Sequence, residues 1–198
     1  MKPGKPAASG AGGVDLPATP VPAIQERGQT LPLVGSEVRI RSFDRRIDQA
    51  LLEQWVKESS GRYFLLSSTS TARNSVQELL DCERTLLGTV TLHDGTPIGA
   101  MAFLDFDPLQ HRAELRKLIG VASMRGRGLA KEASKLWIDY GLAALSLKKI
   151  YLNTTHTNLH NVRLNEELGF KVEGILRNEL CVDGEYQDVL RMGLWQDG

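Results

Sequence analysis

The chain has little of what several function classes require. Two cysteines in 198 residues, Cys82 and Cys181, are too few for a disulfide framework or a thiolate metal site. Both sit in apolar sequence, so reduced structural thiols of a cytoplasmic protein are expected, with no metal. Lys plus Arg number 24, as do Asp plus Glu, so no basic excess argues for nucleic acid or for an anionic membrane face. No apolar run approaches the length that crosses a bilayer. Proline is nearly absent beyond residue 32: Pro3, Pro6, Pro17, Pro20, Pro22 and Pro32 are six of the eight. Residues 1–34, rich in Pro, Gly and Ala, are therefore expected to be a flexible extension, with Leu31-Pro32-Leu33-Val34 lying along the domain edge. Lys2 and Lys5 are followed by no continuous apolar stretch, which argues against a secretory signal. Residues 35–198 are expected to form one domain.

What the chain does have is concentrated between Leu118 and Ala133. An apolar strand end, Leu118-Ile119-Gly120-Val121, runs into Arg125-Gly126-Arg127-Gly128 and then directly into a helix. In that helix Leu129, Ala133, Leu136, Trp137, Tyr140 and Ala144 share one face. The first turn of a helix bares amide hydrogens and carries a partial positive charge, so it suits an anion. Gly126 and Gly128 permit positive φ and close approach, and Arg125 and Arg127 supply charge-assisted donors. The same residues also suit an ordinary strand-to-helix turn with solvated arginines. The stretch is neither the dinucleotide fingerprint nor a P-loop, since it lacks the later small residue of the first and the Gly-Lys-Ser/Thr ending of the second.

Around this bend, alternation predicts strands over 37–43, 86–92, 97–106, 111–121, 148–154, 170–182 and 185–195. Asp94-Gly95 and Asp183-Gly184 mark two hairpins. Asp44 caps a helix in which Ile47, Leu51 and Trp55 recur, with Leu52 and Val56 alongside. Ser75 and Glu78 are spaced as a capping box for a second helix bearing Val76, Leu79 and Leu80. A last helix spans 158–168 and ends at Gly169. Trp55, Trp137, Phe170 and Trp195 are expected in the core.

Arg125, Gly128 and Ala130 match, without a gap, the pyrophosphate motif of the GNAT superfamily of acyl-CoA-dependent N-acetyltransferases: Gln/Arg, two residues, Gly, one residue, Gly/Ala. The resemblance continues in order through Asn158, Leu168-Gly169-Phe170, Glu173-Gly174, Arg177 and Gly184-Glu185-Tyr186-Gln187-Asp188. It implies an α/β, GNAT-like mixed fold: a mostly antiparallel central sheet of about seven strands with about four helices. It implies a splayed parallel pair at the centre, formed by the strands ending near Val121 and Thr154, with the pantetheine arm of the co-substrate acetyl-CoA in the gap. Direct attack of an amine on the thioester in a ternary complex follows, and a homodimer is compatible with it. Arg177 and Asp188 resemble the branch that acetylates ribosomal protein N-termini and amino sugars. The expected acceptor is accordingly a small amine (amino sugar or antibiotic) or a protein N-terminus. A polyamine is disfavoured, because the helix pair over 44–83 carries no dense carboxylate cluster.

The chemistry assigns roles to residues. The amides and side chains of Arg125, Gly126, Arg127, Gly128, Leu129 and Ala130 would hold the diphosphate. An amide of Ile119, Gly120 or Val121 would polarise the thioester carbonyl, with Gly120 allowing close approach. Glu114 is the candidate base, with His156 its rival, and a strand glutamate paired with Arg112 or Arg116 is the plainer alternative. Asn158 would bond the pantetheine arm or cap its own helix. At Asn165 many relatives place a tyrosine that protonates the departing thiolate. An asparagine can bond to the sulfur but has no acid proton, which leaves that step to water or to Tyr186. The same departure supports an alternative reading, a non-catalytic acyl-CoA sensor or scaffold.

Overall fold

The computed structural model describes residues 31–58, 64, 75–155 and 158–196. The elements are β1 (Leu33–Val34), β2 (Val38–Ser42), α1 (Arg45–Lys57), α2 (Val76–Asp81), β3 (Leu86–Leu92), β4 (Pro97–Asp107) and β5 (Arg112–Ile119). A 3₁₀ turn over Ala122–Met124 follows, then α3 (Leu129–Ala143), β6 (Lys149–Thr155), α4 (Leu159–Glu167), β7 (Lys171–Val182) and β8 (Glu185–Trp195). The extension expected over 1–34 lies outside the described residues as far as residue 30. Its last two residues, expected along the domain edge, form β1, which pairs with β2 and makes the sheet eight strands rather than seven.

The strand order is β1-β2-β3-β4-β5-β6-β8-β7. Every neighbouring pair is antiparallel except β5 and β6. Those two pair through only three positions, from Arg112↔Lys149 to Glu114↔Tyr151. β5 continues to Ile119 and β6 to Thr155 without a shared ladder. A wedge therefore opens in the centre of the sheet, as the resemblance implied.

Helices cover both faces. α3 lies on one side, where Trp137 is fully buried and stacks on Phe103 with ring centroids 5.3 Å apart. A Cβ on Gly88 would stand 2.8 Å from the Trp137 ring, so the sheet is bare where the indole lands. Burying a side chain of this size contributes roughly 3 kcal/mol. α1 and α2 cover the opposite side, packing Leu52, Trp55, Val76 and Leu79 over Ala100, Ala102 and Leu104.

Both expected helix starts are capped by their own side chains. Asp44 Oδ1 accepts from the Arg46 amide at 3.0 Å, and Ser75 Oγ from the Glu78 amide at 3.2 Å. The buried stripe of α1, however, is Asp48, Leu52 and Trp55, not Ile47, Leu51 and Trp55, and Ile47 is exposed. The cause is electrostatic. Arg41 on β2 grips Asp48 with both guanidinium nitrogens at 2.6 and 2.8 Å, and the Asp44 amide and Thr89 hydroxyl each donate to Oδ2 at 2.8 Å. These bonds draw a carboxylate into the position that apolar periodicity gives to its neighbour.

Two further expectations change. Cys181 is exposed on β7, where it pairs with Tyr186 of β8. Trp195 is also exposed, at 44%, and lies beneath the Lys171 ammonium, 5.4 Å from its ring centre.

Candidate active site

The wedge between β5 and β6 opens into a cleft of about 500 Å³. β5 supplies one wall from Leu115 to Ile119 and β6 the other from Leu152 to Thr155. The Arg125–Ala130 turn lies at one end, and α4 presents Asn161 and Leu164. The cleft exists because two parallel strands part while the helix after each one caps the gap.

The turn has the backbone geometry that an anion would need. Gly126 and Gly128 both have positive φ, +73° and +82°, and a Cβ on either would meet nothing within 4 Å. Gly128 is the residue before α3 and its carbonyl accepts from the Lys131 and Glu132 amides. Among the described residues, the amides of Gly126, Gly128, Leu129 and Ala130 make no hydrogen bond, and they lie at the positive end of α3.

Arg125 is placed differently from expectation. Its guanidinium turns back along β5, donating to the carbonyls of Ile119 at 2.9 Å and Gly120 at 2.8 Å and to Glu58 at 2.8 Å. It ties the turn to the strand end and to α1. Arg127 remains exposed, with one nitrogen 3.1 Å from the Met124 sulfur.

The strand end also departs from expectation. The amides of Gly120 and Val121 both donate to the Ile98 carbonyl, at 2.9 and 3.2 Å, so they are spent inside the sheet. What comes close to Gly120 is protein: a Cβ there would lie 2.1 Å from the Trp55 ring. Of the three expected amides, only that of Ile119, on the cleft wall, is left for a ligand.

Glu114 is fully buried on β5 and does not line the cleft. Its carboxylate accepts from Arg116 at 2.7 Å and from Asn153 Nδ2 at 2.8 Å. The pairing with Arg116 matches the plainer alternative, though inside the protein instead of at its surface. Arg116 and Asn153 themselves do reach the wall. His156 lies outside the described residues. Tyr186 is 70% exposed near the tip of the β7–β8 hairpin and is not part of the cleft. Asn158 caps α4, its Oδ1 accepting from the Asn161 amide at 3.2 Å, and it also lines the cleft, so both of its expected uses are geometrically compatible.

Asn165 is fully buried behind the cleft wall and does not face it. Its Oδ1 accepts a hydrogen bond from the Lys117 ammonium, and its Nδ2 points at the Met192 sulfur, 3.8 Å away. Lys117 was not singled out in the sequence, yet it lines the cleft from β5. Part of its surface opens to the cleft, but it is set deep in the domain, and the loss of surrounding water lowers its pKa to about 7. A signal for it did exist. Leu115, Lys117 and Ile119 alternate on one face of β5, which puts a lysine on an apolar face.

Comparison with known proteins follows the same outline. The family model "Acetyltransferase (GNAT) domain" matches residues 37–171. A spermidine N(1)-acetyltransferase of Escherichia coli K12 is 35% identical over 103 residues, which cover 52% of this chain and 55% of that protein. The chain thus spans about half the length of the curated relatives it matches. The solved structure of spermidine N-acetyltransferase from Vibrio cholerae in complex with CoA and spermine superposes with a TM-score of 0.67 at 25% identity, covering 82% of this chain and 97% of that one. A dodecameric structure of the Vibrio cholerae enzyme gives a TM-score of 0.68 at 26% identity, covering 82% and 95%. Among the described residues no helix is long and apolar enough to cross a membrane.

Proposed function

The chain belongs to the GNAT acetyltransferase family, and from that premise we propose that it moves an acetyl group from acetyl-CoA to a primary amine of a small polyamine. The observation that carries the donor half is the wedge with four bared amides at its end. A diphosphate fits those donors, because each unpartnered amide gains a charge-assisted bond and the α3 dipole adds to the attraction. The pantetheine arm then lies along β5, whose edge facing β6 has no ladder partner past Glu114. Backbone donors on that edge, the Ile119 amide among them, are available to polarise the thioester carbonyl.

The acceptor enters from the side of α1 and α2. Support for a polyamine comes from relatives named as spermidine acetyltransferases, and it replaces the amino sugar, antibiotic or protein N-terminus expected from Arg177 and Asp188. Those two form an ion pair of 2.6 Å on the β7–β8 hairpin, which accounts for them structurally. Three carboxylates of the helix pair and its end are likewise engaged in ion pairs: Asp48 with Arg41, Asp81 with Arg45, Glu58 with Arg125. Dodecameric relatives also favour an assembly larger than a dimer. Glu114, sealed between Arg116 and Asn153, positions those two cleft residues, and water takes the acceptor's protons.

The test is release of CoA thiol from acetyl-CoA with spermidine, spermine, glucosamine and a peptide amine, with the product identified by mass spectrometry. Turnover with the polyamines is expected. Acetylation of the sugar or peptide alone would overturn the acceptor. Acetyl-CoA binding without turnover on any amine would instead favour the sensor reading.

A further inference from the structure

We propose that Lys117 is the acid that protonates the departing coenzyme A sulfur, held in position by its hydrogen bond to Asn165. The inference rests on the acetyl-transfer reading above. Its ground is that Lys117 combines three properties in one place. It lines the cleft on the β5 wall, its ammonium is oriented by a buried amide from α4, and it lies about 10 Å along β5 from Glu114, where β5 and β6 resume pairing. The arm of the donor runs through this part of the wedge on its way from the α3 turn.

The chemistry needs such a group. The acceptor nitrogen attacks the thioester carbon, the N–C bond forms, and the C–S bond breaks with its electron pair going to sulfur. A thiolate left in a cleft walled by Leu115, Leu118, Leu152 and Leu164 is costly unless it is protonated or paired. The Lys117 ammonium gives it one proton and becomes a neutral amine, which water entering the cleft reprotonates. The acceptor ammonium loses two protons to water, one before attack and one after, so one proton is released per turnover. Tyr186 stands outside the cleft and Asn165 has no acid proton, so neither performs this step.

Loss of hydration makes Lys117 acidic enough to deliver a proton near neutrality, where an ordinary lysine holds on to it. The other charged or titratable groups on the cleft wall are Arg116 and Arg125 from β5 and the turn, Lys131 from α3, and His160 and Glu167 from α4. Lys131 is paired with Glu167 at 2.7 Å. Asn165 faces Lys117 as a neutral acceptor, which fixes the ammonium and raises its affinity for the proton less than a carboxylate would.

Three variants test the assignment: Lys117→Met, Lys117→Arg and Asn165→Asp, each shown to bind acetyl-CoA by thermal shift before kinetics. In the wild type kcat is expected to fall as pH rises past about 7. Lys117→Met and Lys117→Arg should both lose kcat by about 10²-fold, without that descending limb and with KM for acetyl-CoA nearly unchanged. The arginine keeps the charge but cannot release a proton, so it separates proton delivery from electrostatics. Asn165→Asp sets a carboxylate against the ammonium and should move the limb to higher pH. Wild-type kcat in Lys117→Arg, or an unmoved limb in Asn165→Asp, would overturn the assignment. Absence of turnover by the wild type with every amine would instead overturn the transferase reading on which it stands.

Discussion

Gly120→Ala is the sharpest probe of how the donor end is assembled. An alanine Cβ at this position would lie 2.1, 2.2 and 2.5 Å from three atoms of the Trp55 ring, far inside contact distance. The backbone has little room to retreat. The Gly120 amide is bonded to Ile98 O at 2.9 Å, and its carbonyl accepts from Arg125 at 2.8 Å. The indole must therefore move, in a layer where Trp55 is 6% exposed and packs with Leu52, Ala100 and Leu118. Overpacking of this kind costs about 1–3 kcal/mol, which in a domain of this size lowers Tm by roughly 2–12 °C. Trp55→Ala alone should cost about 3–5 kcal/mol through the cavity it leaves. In the double variant the new methyl enters that cavity, so the combined loss should be smaller than the sum by at least 1 kcal/mol, well beyond ordinary additivity error. Urea unfolding of the four proteins measures this. Additive losses, or a Gly120→Ala protein as stable as the wild type, would refute the packing account of this glycine.

The remaining tests probe charge and backbone. Gly128→Ala places an L side chain at φ +82° with open space around it, so its cost is backbone strain of about 1–2 kcal/mol. Its clearest effect should be CoA binding weakened by up to about tenfold in calorimetry. Asp48→Asn removes a buried carboxylate from Arg41, whose side chain is 32% exposed, and should cost about 2–3 kcal/mol, below the range for fully buried pairs. Burial alone would raise the pKa of Asp48, but the bonds from Arg41, the Asp44 amide and Thr89 hold it below the ordinary value. Its stabilisation is therefore complete above the usual aspartate range and lost as pH falls through the lowered pKa, which urea unfolding at neutral and strongly acidic pH would reveal. Lys117 gives a slope of the same sign for a different reason: burial disfavours its charged form, whereas bonds favour that of Asp48. The lysine's folded pKa of about 7 lies below the unfolded value, so the unfolded chain binds more protons between the two and stability should rise with pH across that interval. Lys117→Met should flatten this slope, and an unchanged slope would show that the ammonium is not desolvated.

The elements legible in the sequence are those whose signal is local. Asp94-Gly95 and Asp183-Gly184 announce hairpins because positive φ is needed there, and Gly95 and Gly184 adopt it. Asp44 and Ser75 announce helix starts because a short polar side chain can reach the first bare amides. The turn after Met124 was readable for the same reason, its two glycines and the following helix lying within a few residues. β1 leaves no mark in the sequence, because two residues carry no period; only the presence of β2 beside them makes them a strand.

The side chains around the chemistry were harder to read because their partners are remote in sequence. The Arg125 guanidinium is bonded by Glu58, 67 residues away. The Glu114 carboxylate is bonded by Arg116 on its own strand and by Asn153, 39 residues on. Lys117 and Asn165 are 48 residues apart, on a strand and a helix that meet only because β5 and β6 part. Spacing in the sequence reports which backbone groups a turn leaves bare. It does not report which polar side chains meet across a sheet, and in this fold that meeting decides where protons can go. Asn165 shows the difference most plainly: as a letter in a motif it is a missing acid, whereas in the folded chain it is the acceptor that orients one.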